Sequence, residues 1–165
     1  MTSIYVNWGE SKVKLTWNRH LMPQRALITS VHGFCFRGSE LLLVDLNHRG
    51  WDIPGGHIEP EESPEQCFRR EALEEGYVEG NSELLGAVTV DHSDNPLWNE
   101  SGPYPLVGYQ VFYGMKILRL LPFEAQYESS RRMFVPPQDV SSYYEGWNAL
   151  HQEMLDNALS QFAPF

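Results

Sequence analysis

The stretch that most constrains this chain runs from Gly56 to Glu75: a glycine, an acid at Glu62, then Arg70-Glu71-Ala72-Leu73-Glu74-Glu75. Ser63-Pro64-Glu65-Gln66 reads as a helix start, with Ser63 as the cap, Pro64 in the first helical position and Gln66 closing a capping box. Gly76 is a natural stop, so the spacing predicts a helix from Pro64 to Glu75. At about 100° per residue, Cys67, Glu71, Glu74 and Glu75 share one face of it. Like charges three or four residues apart cost about 0.2–0.5 kcal/mol per pair. The negative end of the helix macrodipole opposes the same acids. A solvated acidic face is the ordinary fate of such a run. Two features point elsewhere. The acids crowd the unfavourable end of the helix, and they follow Trp51-Asp52-Ile53-Pro54-Gly55-Gly56, a turn that brings backbone into close geometry. A divalent cation would explain the crowding, and a cation in turn suggests phosphate chemistry.

The same residues carry a resemblance. Gly-x5-Glu-x7-Arg-Glu-U-x-Glu-Glu-x-Gly-U, with U a bulky apolar residue, is the signature of Nudix hydrolases, and this chain resembles that family from Trp51 to Val78. Gly56, Glu62, Arg70, Glu71, Glu74 and Glu75 occupy its fixed positions, and Trp51, Pro54, Gly55 and Glu59 look like the family's usual approach to the box. Two positions depart from it. Tyr77 stands where the family has glycine, and Ala72 where a bulkier residue is usual. We expect a one-residue deletion with Gly76 as the helix cap, because a tyrosine suits the left-handed conformation badly. Ala72 implies a tighter packing contact.

The resemblance implies an α/β fold: a Nudix-type α/β/α sandwich with a mixed β-sheet and the box as a loop–helix–loop, in one domain over residues 1–165. It also implies Mg²⁺- or Mn²⁺-dependent hydrolysis of a nucleoside diphosphate linked to another moiety. The leading expectation is a nucleoside triphosphate pyrophosphohydrolase engaged in nucleotide clean-up. ADP-ribose, nucleotide-sugar and dinucleoside polyphosphate substrates are alternatives. A non-catalytic nucleotide sensor is a further one, disfavoured because all the box carboxylates are present. Carried over residue by residue, Glu71 and Glu75 are the metal-ligand candidates, with Glu74 a third and the Gly56 carbonyl completing the set. Arg70 would orient Glu62 or Glu71 by a charge-assisted hydrogen bond, or else pair with Glu74 on the surface. Glu59 reads equally as a supporting or a surface acid. The general base stays open between the in-box Glu71 and Glu74 and the later Asp91, Asp94, Glu100 and Glu124. Cys67 reads as a packed residue rather than a ligand.

Composition narrows the partners. A net charge of −10 argues against polymeric nucleic acid, which needs a basic footprint, and leaves a small nucleotide whose charge a cation can balance. The two cysteines, Cys35 and Cys67, supply neither a disulfide framework nor a zinc spacing. With no signal peptide or long apolar span visible, the expectation is a reduced, cytoplasmic protein without a membrane role. A homodimer is an assembly the resemblance allows.

Around the box, Val13 to Trp17 reads as an edge strand, and Ala26 to Phe36 as a strand with a bulge at Gly33. Glu40 to Leu46 reads as its hairpin partner, turned at Arg37-Gly38-Ser39. Leu84 to Asp91 and Leu106 to Leu118 read as later strands, and Glu145 to Phe162 as an amphipathic helix. The segment from His92 to Pro105 is a long loop that carries Trp98 and Tyr104. Loops of that length in compact domains are often functional, so both aromatics are candidates to stack on a base. His57, just after the glycines, is a candidate phosphate contact.

Overall fold

The computed structural model describes residues 2–162. Alternating burial makes strands of β1 (Ser3–Trp8) and β2 (Ser11–Arg19), which pair as a hairpin. β3 (Ile28–Arg37) and β4 (Glu40–Leu46) form a second hairpin through Gly38, whose φ of 58° serves the turn. Two short strands, β5 (Gly50–Asp52) and β6 (Gly55–His57), lead into helix α1 (Pro64–Gly76). Two long strands follow, β7 (Val78–Asp91) and β8 (Val107–Leu120), then β9 (Ser129–Val135) and helix α2 (Ala149–Phe162).

The sheet order is β1-β2-β7-β8-β3-β4-β5, with β6 beside β3 and β9 beside β4. β3 and β8 run parallel and the other pairs antiparallel, so the sheet is mixed. β3 explains why its apolar run shows no alternation. Phe34 and Phe36 face one core with Trp17, Phe112, Leu150 and Met154, while Val31 and Cys35 face the other with Phe68, Ala72 and Met115. Helix α2 closes the first core and α1 the second. The result is the sheet between helical layers that the sequence implied.

Several expectations change. Val13 to Trp17 lies within β2, which is flanked by β1 and β7 and is not an edge; Ser3–Trp8 takes the edge. Gly33 is not a bulge. It pairs in register with Tyr113, and a side chain there would run into the Phe68 ring; the irregularity falls between Ile28 and Ser30 instead. The capping box at Ser63 forms as expected, Gln66 N–H donating to Ser63 Oγ and Ser63 N–H to Gln66 Oε1. The other end of α1 differs. The helix runs through Gly76, and Tyr77 caps it at φ 55°, ψ 44°. No residue is missing: Tyr77 adopts the left-handed conformation itself. Gly76 is glycine for space, since a Cβ there would lie 2.7 Å from Leu42 Cδ2. Among the described residues no helix is long and apolar enough to cross a membrane.

Candidate active site

β6 sets the floor of the site. It pairs with β3 at Ser30–His57, Val31–Gly56 and His32–Gly55, which lays two glycines against α1. A Cβ on Gly56 would lie 2.5 Å from Glu71 Oε1, and one on Gly55 would run into the His32 imidazole. Gly55 is therefore held to glycine by the His32 ring and backbone, whereas a side chain at Gly56 would push the Glu71 carboxylate aside. Gly55 N–H donates to Glu75 Oε1 at 2.9 Å. Helix spacing turns both carboxylates toward this backbone: Glu71 and Glu75 are four residues apart and both buried.

Arg70 ties the loop to the helix. Its Nε and Nη2 donate to the two oxygens of Glu62 at 2.6 and 3.0 Å, a bidentate pair. Its Nη1 donates to Glu71 Oε1 at 2.9 Å and reaches Glu74 Oε2 at 3.5 Å. The alternatives open for Arg70 are thus realised together, with Glu62 the closest partner. This guanidinium holds Glu62 well below the usual carboxylate range, at about 2. Glu59 is a peripheral partner, 3.9 Å from Arg70 with a mostly exposed side chain. Cys67 is buried, its Sγ near the Gly56 and His57 carbonyls, and burial pushes its thiol up.

The inner carboxylates behave oppositely to Glu62. Burial raises Glu71, although Arg70 counters part of the effect. Burial also pushes Glu75 up to about 8, and the charges of Glu71, Glu128 and Asp52 add to the rise. Such groups are uncomfortable as anions until a cation joins them. Among the described residues no three His, Cys, Asp or Glu side chains converge closely enough to hold a metal ion by themselves. The donors present still fit Mg²⁺ or Mn²⁺. Magnesium takes one or two carboxylates and fills its remaining positions with water and substrate phosphate. Glu71, Glu75 and the Gly56 carbonyl supply hard oxygen donors of that kind, with Glu74 at the edge.

The glycines and Glu75 open onto a cleft of about 940 Å³. His57 and Tyr104 line it too. Trp98 does not; its Nε1 donates to the Tyr104 carbonyl at 3.0 Å. The later acids proposed as bases are elsewhere. Asp91 accepts from Ser93 N–H, Asp94 from the Tyr5 hydroxyl, and Glu100 and Glu124 do not line the cleft. Glu128 does line it, on the same side as Glu75. Sequence reasoning missed this residue because it precedes β9, a strand that went unread. It also missed Trp8, Arg49 and His32. Trp8 comes from the unread β1 and meets His92 edge-on at 6.5 Å, while His92 stacks on Tyr104 at 6.3 Å. Because β1 lies four strands from β3 in the sheet, Trp8 enters the cleft from the side away from the glycines and Glu75, with His92 and Tyr104 between β7 and β8 continuing the wall. Arg49 hangs over the rim with its side chain 70% exposed, its nearest acid Asp52 at 3.7 Å. His32 hydrogen-bonds Ser30 at 2.8 Å and stacks on Phe112, and burial drops it to about 4, so it is neutral. Their lone signals, one arginine and one histidine, had no spacing to mark them.

A NUDIX domain family model matches residues 27–157. Solved structures share the fold. A Bacillus subtilis pyrophosphohydrolase aligns with TM-score 0.71 at 19% identity, over 97% of this chain and 97% of that one. The NUDIX domain of Shewanella oneidensis NrtR, crystallised with ADP ribose, gives TM-score 0.57 at 21% identity, over 82% and 87%. An ADP-ribose pyrophosphatase from Streptococcus suis gives 0.54 at 19% identity, over 84% and 94%. No curated protein matches the sequence significantly. At these identities the structural likeness carries the fold alone.

Proposed function

This chain belongs to the NUDIX family, hydrolases of phosphorus anhydrides, and from that premise we propose that it cleaves a nucleoside triphosphate or a related nucleoside diphosphate derivative in a reaction that depends on Mg²⁺ or Mn²⁺. One observation carries this reading. Two buried carboxylates meet a glycine backbone, Glu75 on the lining of the cleft and Glu71 packed against Gly56 beside it, in a cleft that also carries an aromatic wall. The acidic end suits a pyrophosphate bridge and the aromatic end a base.

Glu71 and Glu75 would hold the cation, with Glu74 and the Gly56 carbonyl as additional donors. When bound, the cation offsets charge on the phosphoryl oxygens and acidifies a water. The chain's own groups do the remaining work. Arg70 fixes Glu71 and anchors the helix to the loop through Glu62. Gly55 N–H orients Glu75. Arg49 and His57 at the rim offer donors to outer phosphate oxygens, and Trp8 and Tyr104 offer ring faces to the base. Glu128 is the later-loop acid best sited to take a proton from an attacking water; in-box Glu74 remains its competitor.

A panel of nucleoside triphosphates, ADP-ribose, nucleotide sugars and dinucleoside polyphosphates, assayed with Mg²⁺ or Mn²⁺ for phosphate and pyrophosphate release, tests the proposal. We expect turnover of at least one compound that stops on adding EDTA. A silent panel, with nucleotide binding retained, would replace the hydrolase with a nucleotide sensor.

A further inference from the structure

We propose that Tyr77, the residue standing in the family's glycine position, is a positioning residue that clasps the 121–128 segment and so sets Tyr127 and Glu128 into the cleft. The inference rests on the hydrolase reading above. It begins with a cost. Tyr77 is a non-glycine residue at φ 55°, a conformation that L side chains adopt at some expense. Glycine would terminate α1 there without penalty. The tyrosine returns something glycine cannot. Its hydroxyl accepts the Gln126 N–H at 2.9 Å, and its ring packs against Phe123 at 4.8 Å and Tyr127 at 6.4 Å. Its carbonyl accepts Leu121 N–H at 2.9 Å. The side chain is 8% exposed, so these contacts are largely shielded from water.

Arg132 completes the clasp from the other side. Its Nη1 donates to the Gly76 and Tyr77 carbonyls at 2.9 and 3.1 Å, and its Nη2 to the Leu121 carbonyl at 2.7 Å. Its guanidinium also lies 5.7 Å from the Phe123 ring. The carbonyls left without helix partners at the end of α1 thereby gain a cation, as the macrodipole favours. The clasped segment otherwise forms no helix or strand and contains a second left-handed residue, Ala125 at φ 52°. Past it, the Glu128 carbonyl accepts Asn47 N–H at 2.9 Å, and Ser129 Oγ donates to the Glu75 carbonyl at 2.6 Å. Tyr127 and Glu128 are thus held between the end of α1 and the β4–β5 turn, both lining the cleft. Between the ends pinned at Leu121 and Glu128, the Tyr77 side chain holds Phe123, Gln126 and Tyr127, so that middle stretch loses its register when the side chain goes.

Two variants and two readouts test this. Tyr77→Gly relieves the backbone and releases the segment; Tyr77→Phe keeps the ring and removes only the bond to Gln126. Amide hydrogen exchange should accelerate across 121–128 in Tyr77→Gly and at Gln126 in Tyr77→Phe, with α1 still protected. In turnover, Tyr77→Gly should lower kcat/KM by about tenfold to a hundredfold, the scale of a small misplacement of a reacting group. Glu128→Gln should lower it at least as far, and the double variant should fall no further than Glu128→Gln alone. A Tyr77 that merely plugs the core would give losses that multiply. Unchanged exchange in both variants, or multiplying losses, would overturn the proposal. Faster exchange in a protein that turns over no nucleotide would leave the clasp standing and remove the hydrolase reading instead.

Discussion

At one end of the cleft Glu71 and Glu75 crowd negative charge into a buried corner, 8% and 2% exposed, with Glu128 nearby. At the other, Trp8 and Tyr104 stand 46% and 48% exposed around a buried His92. The acidic end is unfavourable without a cation, since Arg70 offsets only part of the desolvation of Glu71 and Glu75 is left with a backbone N–H alone. The aromatic end buries no carboxylate and makes no such demand. A ligand therefore does different work at each. At the acidic end it removes an electrostatic penalty, so binding, catalysis and stability are linked. At the aromatic end it adds contact area and contributes affinity alone.

The largest effect should come from breaking the acidic end. Glu75→Gln should reduce kcat/KM by about a thousandfold, the loss expected when a group stabilising transition-state charge is removed. It should also stabilise the cation-free protein. The Glu75 carboxyl is pushed up to about 8 when folded, whereas an unfolded glutamate ionises near 4.5. Stability from this group is complete below 4.5 and is lost as pH rises through 8, because only the unfolded chain ionises freely in between. Thermal melts in EDTA across that range should decline for the wild type and flatten for Glu75→Gln, with the variant's Tm higher above neutral pH. Parallel melts would separate Glu75 from the charge penalty.

A smaller effect should follow at the aromatic end. Trp8→Ala should raise KM for the best nucleotide about tenfold or more with kcat little changed, since stacking a base on an aromatic ring is worth about 1–3 kcal/mol. Its Tm in EDTA should show no new pH dependence. A fall in kcat with KM unchanged would show that the two ends are not separable. The smallest effect should be that of Trp98→Ala, which removes a side chain outside the cleft lining whose hydrogen bond goes to the Tyr104 carbonyl. We expect kcat/KM to change by no more than about threefold, the scale of one exposed hydrogen bond. A loss as large as that of Trp8→Ala would return Trp98 to base recognition.

The same contrast separates what could be read along the chain from what could not. The acidic end is nearly all local. Ser63 and Gln66 start the helix, the i, i+4 spacing aligns Glu71 with Glu75, and two glycines bring the loop within reach. Charge repulsion makes such a cluster conspicuous in one dimension. The aromatic end joins Trp8 of β1 with His92 and Tyr104 from the two ends of the loop between β7 and β8, which the sheet order brings together. The 92–105 loop drew attention for its length, yet it delivers Tyr104 and not Trp98 to the cleft. Gly76 and Tyr77 misled for another reason. Glycine signals either a left-handed turn or a lack of room, and here β4 packing through Leu42 takes the room while Tyr77 makes the turn.

Sequence by itself determined the box helix, its N-terminal cap and the charged set it presents, because hydrogen bonds and like-charge contacts within one helix depend on spacing alone. Tertiary structure decided which distant groups join that set. Glu128 enters the cleft because Tyr77 and Arg132 hold the segment before β9, and Trp8 enters because β1 pairs at the sheet edge. Contacts between residues far apart in the chain arise from packing and strand order, and no local period records them.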